Sequence, residues 1–181
     1  EHDDPMGDVD SPDAFGMTAL LSAGMRGHTR IVELLINGNH GSELVEMYDP
    51  ETGDLMINEE TGDPMMHRVP TIWANADVNA QSKDGGSTSL MWACERGHVE
   101  IVKQLLEAGA DPGQYTCRKK IPLYTAAEQG NLAMVKVLLP FTTKAHLFIE
   151  TTYGTTPLFI ATRSGNGDVK DLLVDFCSRG K

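Results

Sequence analysis

Apolar residues in this chain come as short paired stripes. Ile101, Val102, Leu105 and Leu106 fall at i, i+1, i+4 and i+5, which puts all four on one face of a short helix. Ile31, Val32, Leu35 and Ile36 repeat that spacing, as do Met134, Val135, Leu138 and Leu139. Each stripe follows a glycine, at Gly97, Gly27 and Gly130. Upstream, Leu90, Ala93 and Cys94 put small apolar residues on one side of a preceding helix, where they let two antiparallel helices approach closely. Thr88–Ser89, Ile121–Pro122 and Thr156–Pro157 open that helix, as a side-chain cap and a first-turn proline require. The glycine then ends it by supplying a positive φ. The pattern predicts helix–turn–helix units, each too small to bury its own apolar face.

One phrase carries all of these signals and recurs four times: MTALLSAGMRGH (17–28), TSLMWACERGH (88–98), IPLYTAAEQGN (121–131) and TPLFIATRSGN (156–166). Its glycines, Gly27, Gly97, Gly130 and Gly165, are separated by 70, 33 and 35 residues. Self-similarity at such a period predicts a stacked repeat array. Arrays of this kind bind other macromolecules along an extended face.

With these residues in view, the chain resembles the ankyrin-repeat family. Gly86–Asp111, GSTSLMWACERGHVEIVKQLLEAGAD, follows the family pattern almost throughout, and Ala76–Ala80, ADVNA, follows it too. The resemblance covers about residues 13–39 and 76–176, and it implies an all-α solenoid of helix–turn–helix repeats. On this reading residues 1–12 are an acidic N-terminal tail, with repeats at 13–39, 76–111 and 112–148. Residues 149–181 form a C-terminal capping repeat, because Lys170 lies near a position that is usually apolar and a terminal repeat needs a polar outer face. In the third copy, Pro140 follows Leu139 and the connection to Gly154 is two residues longer than the regular spacing.

The 70-residue step leaves residues 40–75 as an acidic, Met-rich insertion or a degenerate repeat. Two periods would fit, and Gly62 falls in phase. The segment lacks both the Thr-Pro-Leu phrase and the apolar stripe, however, and Pro64 and Pro70 break helices. Insertion is the favoured reading, in a hairpin-like form: Leu44–Tyr48 and Asp54–Asn58 flank Asp49–Pro50–Glu51–Thr52–Gly53, which has turn chemistry. Long insertions in arrays map to one face, often the binding face.

Charge is unevenly spread. Residues 1–64 hold 15 Asp/Glu against Arg26 and Arg30, net −13, while residues 65–181 hold 11 acidic and 13 basic residues, net +2, which together give the chain its −11. That balance argues against nucleic acid, which wants a basic stripe, and favours a protein partner with a basic surface. Acidic loops that merely keep the array soluble are the alternative. No run of about 18 apolar residues is present to span a membrane. Cys94, Cys117 and Cys177 form no C-x-x-C pair, which suggests an intracellular reducing compartment without a disulfide framework. Cytoplasm, nucleus and an organelle entered after loss of a transit peptide are not separated by this reading.

No phosphate loop, G-x-G-x-x-G or H-E-x-x-H motif occurs, so no enzyme activity, cofactor or metal is expected. His28 and His98 share a slot with Asn131 and Asn166, which points to local hydrogen bonding. His2 beside Asp3 and Asp4 lacks fixed geometry for a metal.

Recognition residues follow from the resemblance, which implies a concave face built from loop tips and the ends of the first helices. The pairs before each glycine then line it: Met25 and Arg26, Glu95 and Arg96, Glu128 and Gln129, Arg163 and Ser164. The tip before the third unit carries Arg118, Lys119 and Lys120, three cations that either meet an acidic groove or are solvated. Met91, Tyr124 and Phe159 share one position and are expected to pack between repeats; Trp92 is expected in the core. In the 40–75 segment Tyr48, Met56 and Trp73 either dock a partner or pack on the first repeat. Asn79 resembles the asparagine of ankyrin turns that hydroxylases modify, with a turn-stabilising role favoured. The expected function is a non-enzymatic protein-interaction scaffold, the alternative a constitutive structural subunit of a large multi-subunit assembly.

Overall fold

The computed structural model describes residues 9–14, 16–37, 44–46, 66–68, 76–83 and 85–178. Each copy of the recurring phrase begins a helix where its hydroxyl or proline stands. Thr18, Thr88 and Thr156 accept hydrogen bonds through their side chains from the backbone N–H of Leu21, Met91 and Phe159. Ile121 cannot cap, and Pro122 takes the first turn instead. Among the described residues the α-helices fall in four pairs: α1 (Ala19–Arg26) with α2 (Thr29–Asn37), α3 (Ser89–Arg96) with α4 (Val99–Glu107), α5 (Pro122–Gln129) with α6 (Leu132–Leu138), and α7 (Pro157–Arg163) with α8 (Gly167–Ser178).

The pairs stack in two layers. First helices pack α1 on α3, α3 on α5 and α5 on α7, and second helices pack α2 on α4, α4 on α6 and α6 on α8. Ala93, Cys94, Ala126, Ala127 and Ala161 are completely buried in the first layer. The predicted stripes, including Ile101, Val102, Leu105, Met134, Val135 and Leu138, fill the space between the layers. Burying each such large side chain stabilises by about 1.5–3 kcal/mol. Helix α8 buries only Val169 and Leu173, and Lys170, Asp171, Val174 and Asp175 face solvent. The longer third connection contains two 3-10 turns, Leu139–Phe141 and Lys144–Phe148.

One register runs through the stack. The residue after each inter-helix glycine lies against the glycine of the preceding unit: His98 against Gly27, Asn131 against Gly97 and Asn166 against Gly130. Of the asparagines in that slot, Asn131 makes the local bond expected, whereas Asn166 bonds across to the preceding unit. Asn131 accepts from the Met134 N–H at 3.0 Å, and Asn166 donates to the carbonyls of Ala127 and Glu128 at 2.9 and 3.2 Å. The described stack resumes at Ala76, whose N–H donates to the Leu35 carbonyl at 3.1 Å. Next to it, the Asp77 N–H is held by the carboxylate of Asp10 at 3.0 Å.

Between those points lie two short strands, β1 (Leu44–Glu46) and β2 (Met66–Arg68), paired antiparallel with Val45 opposite His67. The first arm expected from the sequence therefore contains β1, but its observed partner is Met66–Arg68. Pro64 and Pro70 bracket that segment, leaving a stretch too short for a helix and long enough for a strand. The expected second arm, Asp54–Asn58, and the turn before it lie outside the described residues.

The register makes a stability test. Gly130 has φ +69°, and a β-carbon there would stand 2.5 Å from Asn166 Oδ1, whereas Gly165 has φ +74° with nothing within 4 Å. Gly130→Ala should cost about 2 kcal/mol or more, since overpacking adds to left-handed strain, and Gly165→Ala about 1 kcal/mol. Urea unfolding of the two variants measures the difference.

Candidate functional site

Every helix pair is introduced by a tight tip, and all four tips close the same way. A backbone hydrogen bond joins Asp13 to Met17, Ser82 to Ser87, Thr116 to Lys120 and Thr151 to Thr155, at 2.9–3.0 Å. Inside each, one residue turns its N–H back to the carbonyl of the first: Gly16, Gly86, Lys119 and Gly154. That residue must adopt a left-handed conformation, and its φ is +77°, +68°, +55° and +69° in the four tips. Three are glycine, which has no β-carbon to resist. The third is Lys119, the one non-glycine residue with positive φ among the described residues, and it carries strain of about 1–2 kcal/mol.

The third tip is also firmly held. Cys117 N–H donates to the Gly85 carbonyl of the tip before it at 2.9 Å, and the Arg118 carbonyl accepts from Thr152 N–H of the tip after it at 3.1 Å. Lys120 is anchored to α5 by an ion pair with Glu128 at 2.8 Å and lies over the Tyr124 ring, 5.2 Å from its centroid. Arg118 and Lys119 are exposed and have no ion-pair partner among the described residues.

Beside this tip a cleft of about 380 Å³ opens between the second and third units. It brings together five residues expected on the concave face: Glu95, Arg118, Lys120, Glu128 and Gln129. Gln129 is fixed across the unit boundary by donating to the Glu95 carbonyl at 2.7 Å. Arg96 and Arg163 are exposed, and Met25 and Arg26 half-buried, but none of the four lines this cleft. Tyr48, Met56 and Trp73 lie outside the described residues.

Two aromatic expectations need correction. Trp92 is half-buried and lines the cleft, and its indole Nε1–H is buried without an acceptor among the described residues. The repeat gave no signal of this, since Thr125 and Ile160 in the same slot are buried and Ser22 is half-buried. Phe159 is 52% exposed, whereas its counterparts Met91 and Tyr124 are each 5% exposed and packed as expected. Tyr124 completes its packing with a hydroxyl contact to Thr155 at 3.0 Å. Asn79 has a structural role: its side chain donates to the Gly109 carbonyl and accepts from Asp111 N–H, tying two successive loops together. Burial, helped by Arg26 and His98, holds His28 below the ordinary imidazole range. Complete burial pushes the Cys94 thiol up, which makes it inert packing.

Three copies of the ankyrin-repeat model match, over residues 3–116, 54–149 and 90–179. The chain belongs to the ankyrin-repeat family. It is 28% identical over 124 residues to Ankyrin repeat and KH domain-containing protein mask-1 of Caenorhabditis elegans, covering 68% of this chain and 5% of that protein. It is 33% identical over 100 residues to Protein fem-1 homolog A-like of Mus musculus, covering 55% of this chain and 14% of that protein. A stretch of 52 residues is 40% identical to Ankyrin repeat domain-containing protein 40 of Homo sapiens, covering 29% of this chain and 14% of that protein. The chain thus spans between 5% and 14% of the lengths of these relatives. Ankyrin repeats are in general protein–protein interaction modules, and no helix among the described residues is long and apolar enough to cross a membrane.

The strained tip gives a prediction about the ankyrin scaffold itself. Lys119→Gly should raise stability by about 0.5–1 kcal/mol, the relief of left-handed strain less the added freedom of an unfolded glycine. Thermal unfolding of the variant beside the native chain measures it.

Proposed function

We propose that this chain is a non-enzymatic protein-binding module that captures its partner on the cleft between the second and third repeats, assisted by the acidic segment between α2 and Ala76. The cleft carries the reading, because residues from two tips and two first helices converge there around Met91 and Trp92. Polar side chains that can orient a partner thus surround a partly apolar floor, the composition of a recognition surface.

The acidic segment is assigned to the binding face on the strength of its attachment. Helix α1 packs directly on α3, and Gly24 approaches Ser89 so closely that a β-carbon there would be 3.2 Å from its carbonyl. That contact, with the Leu35–Ala76 hydrogen bond, favours residues 40–75 as an insertion that leaves the stack rather than a repeat within it. The concentration of acid in residues 1–64 then favours a basic partner surface at this end, through steering that weakens with salt.

Deleting residues 40–72 tests the arm. Because exit and return are adjacent, the remaining residues can bridge them, and the variant should keep its helical circular dichroism while losing partner recovery in a pull-down from the native source. Full recovery by the deletion variant would remove the arm from the binding face.

A further inference from the structure

We propose that the third tip, Arg118–Lys119–Lys120, is a preformed receptor for an acidic peptide segment of the partner. The inference rests on the cleft being a protein-binding site and adds the chemistry of what enters it.

The argument begins with Lys119. Its slot is glycine in the other three tips, the backbone there is left-handed in all four, and the lysine side chain makes no ion pair among the described residues. A residue that opposes the local backbone without a contact in return marks a functional position. Its neighbours share the pattern. Arg118 stands where the second tip has Gly85, and Lys120 where it has Ser87. Three successive cations thus replace two glycines and a serine, in a chain whose net charge is −11.

The tip is rigid, so little ordering entropy is lost on binding. Backbone bonds to both neighbouring tips clamp it, and the Lys120–Glu128 pair fixes its base. Lys120 is therefore already neutralised, which leaves Arg118 at the cleft wall, with Lys119 exposed beside it and outside the lining, to receive a carboxylate. Glu95 also lines the cleft, so a second acid placed deeper would meet like charge. The residue beside the acidic one is accordingly apolar and rests on Met91 and Trp92. At the same place the buried indole N–H of Trp92 lacks an acceptor among the described residues, and such groups call for an explanation. A nucleic acid would present a phosphate at every step and meet Glu95 with each, which is why a peptide is favoured over RNA or DNA.

A library of random dodecapeptides displayed on phage, selected on the native chain, tests this. Selected peptides should be enriched in Asp or Glu next to an apolar residue. A fluorescein-labelled member should bind Lys119→Gly about two- to five-fold more weakly and Arg118→Glu tenfold or more weakly in anisotropy titrations. Lys119→Gly relieves strain, so its loss of affinity would not come from unfolding. Selection of peptides without acidic bias, or equal affinity for both variants, would overturn the acidic-peptide assignment and leave the cleft as a binding site. Failure of the native chain to select any peptide would overturn both. Displacement of the peptide by mixed-sequence RNA at equal concentration would also contradict the assignment.

Discussion

A pair of short helices joined by a glycine has an apolar stripe and no means of covering it. The whole molecule follows from that constraint. The only cover available is the next pair, and close cover demands small residues where first helices meet, which is where Ala23, Ala93, Ala126, Ala127 and Ala161 stand. Stability in such an array is a sum over neighbouring interfaces. A gap between units would expose two stripes at once, and none opens between the first two copies of the phrase, where α1 packs directly on α3 and the Ala76 N–H bonds the Leu35 carbonyl.

The same constraint separates frame from surface. Caps, inter-helix glycines and buried stripes are dictated by stacking, and they repeat. Positions that neither cap nor pack are free to differ, and the walls of the cleft between the second and third units, at Glu95, Arg118, Glu128 and Gln129, are built from these. Lys119 goes one step further, because it is unfavourable to the frame. The two adjacent tips hold its backbone in place through Gly85 and Thr152, so the array tolerates the strain locally without losing the register of its helices.

Most of the frame was legible in the sequence, since its signals are local and recur. Thr18, Thr88 and Thr156 could be read as caps and the glycines as turns because each acts within one or two helical turns of itself. The grouping of Glu95, Glu128 and Gln129 was legible for a related reason: residues at equivalent points of successive units must lie side by side. What escaped depended on longer-range or one-off geometry. The partner of Leu44–Glu46 is a strand 20 residues downstream, where no repeat supplies an equivalent. Trp92 is half-buried although Thr125 and Ile160 in its slot are buried, because an indole is too large for the space that a threonine or isoleucine fills. Phe159 was grouped with Met91 and Tyr124, yet it is exposed at 52%. The strain at Lys119 is not legible in the recurring phrase, whose third copy begins at Ile121, two positions after Lys119.

The central claim is that the first two copies of the phrase are immediate neighbours despite the 70 residues between their glycines. Arg30 and Glu100 are exposed at equivalent points of α2 and α4. With Cys117 and Cys177 replaced by serine and Cys94 shielded by burial, both positions can be changed to cysteine and spin-labelled. Dipolar broadening in the electron paramagnetic resonance spectrum should report adjacent helices, about 10 Å between axes. A separation of about 20 Å, twice that packing distance, would mean that another helix pair lies between them and would contradict the account.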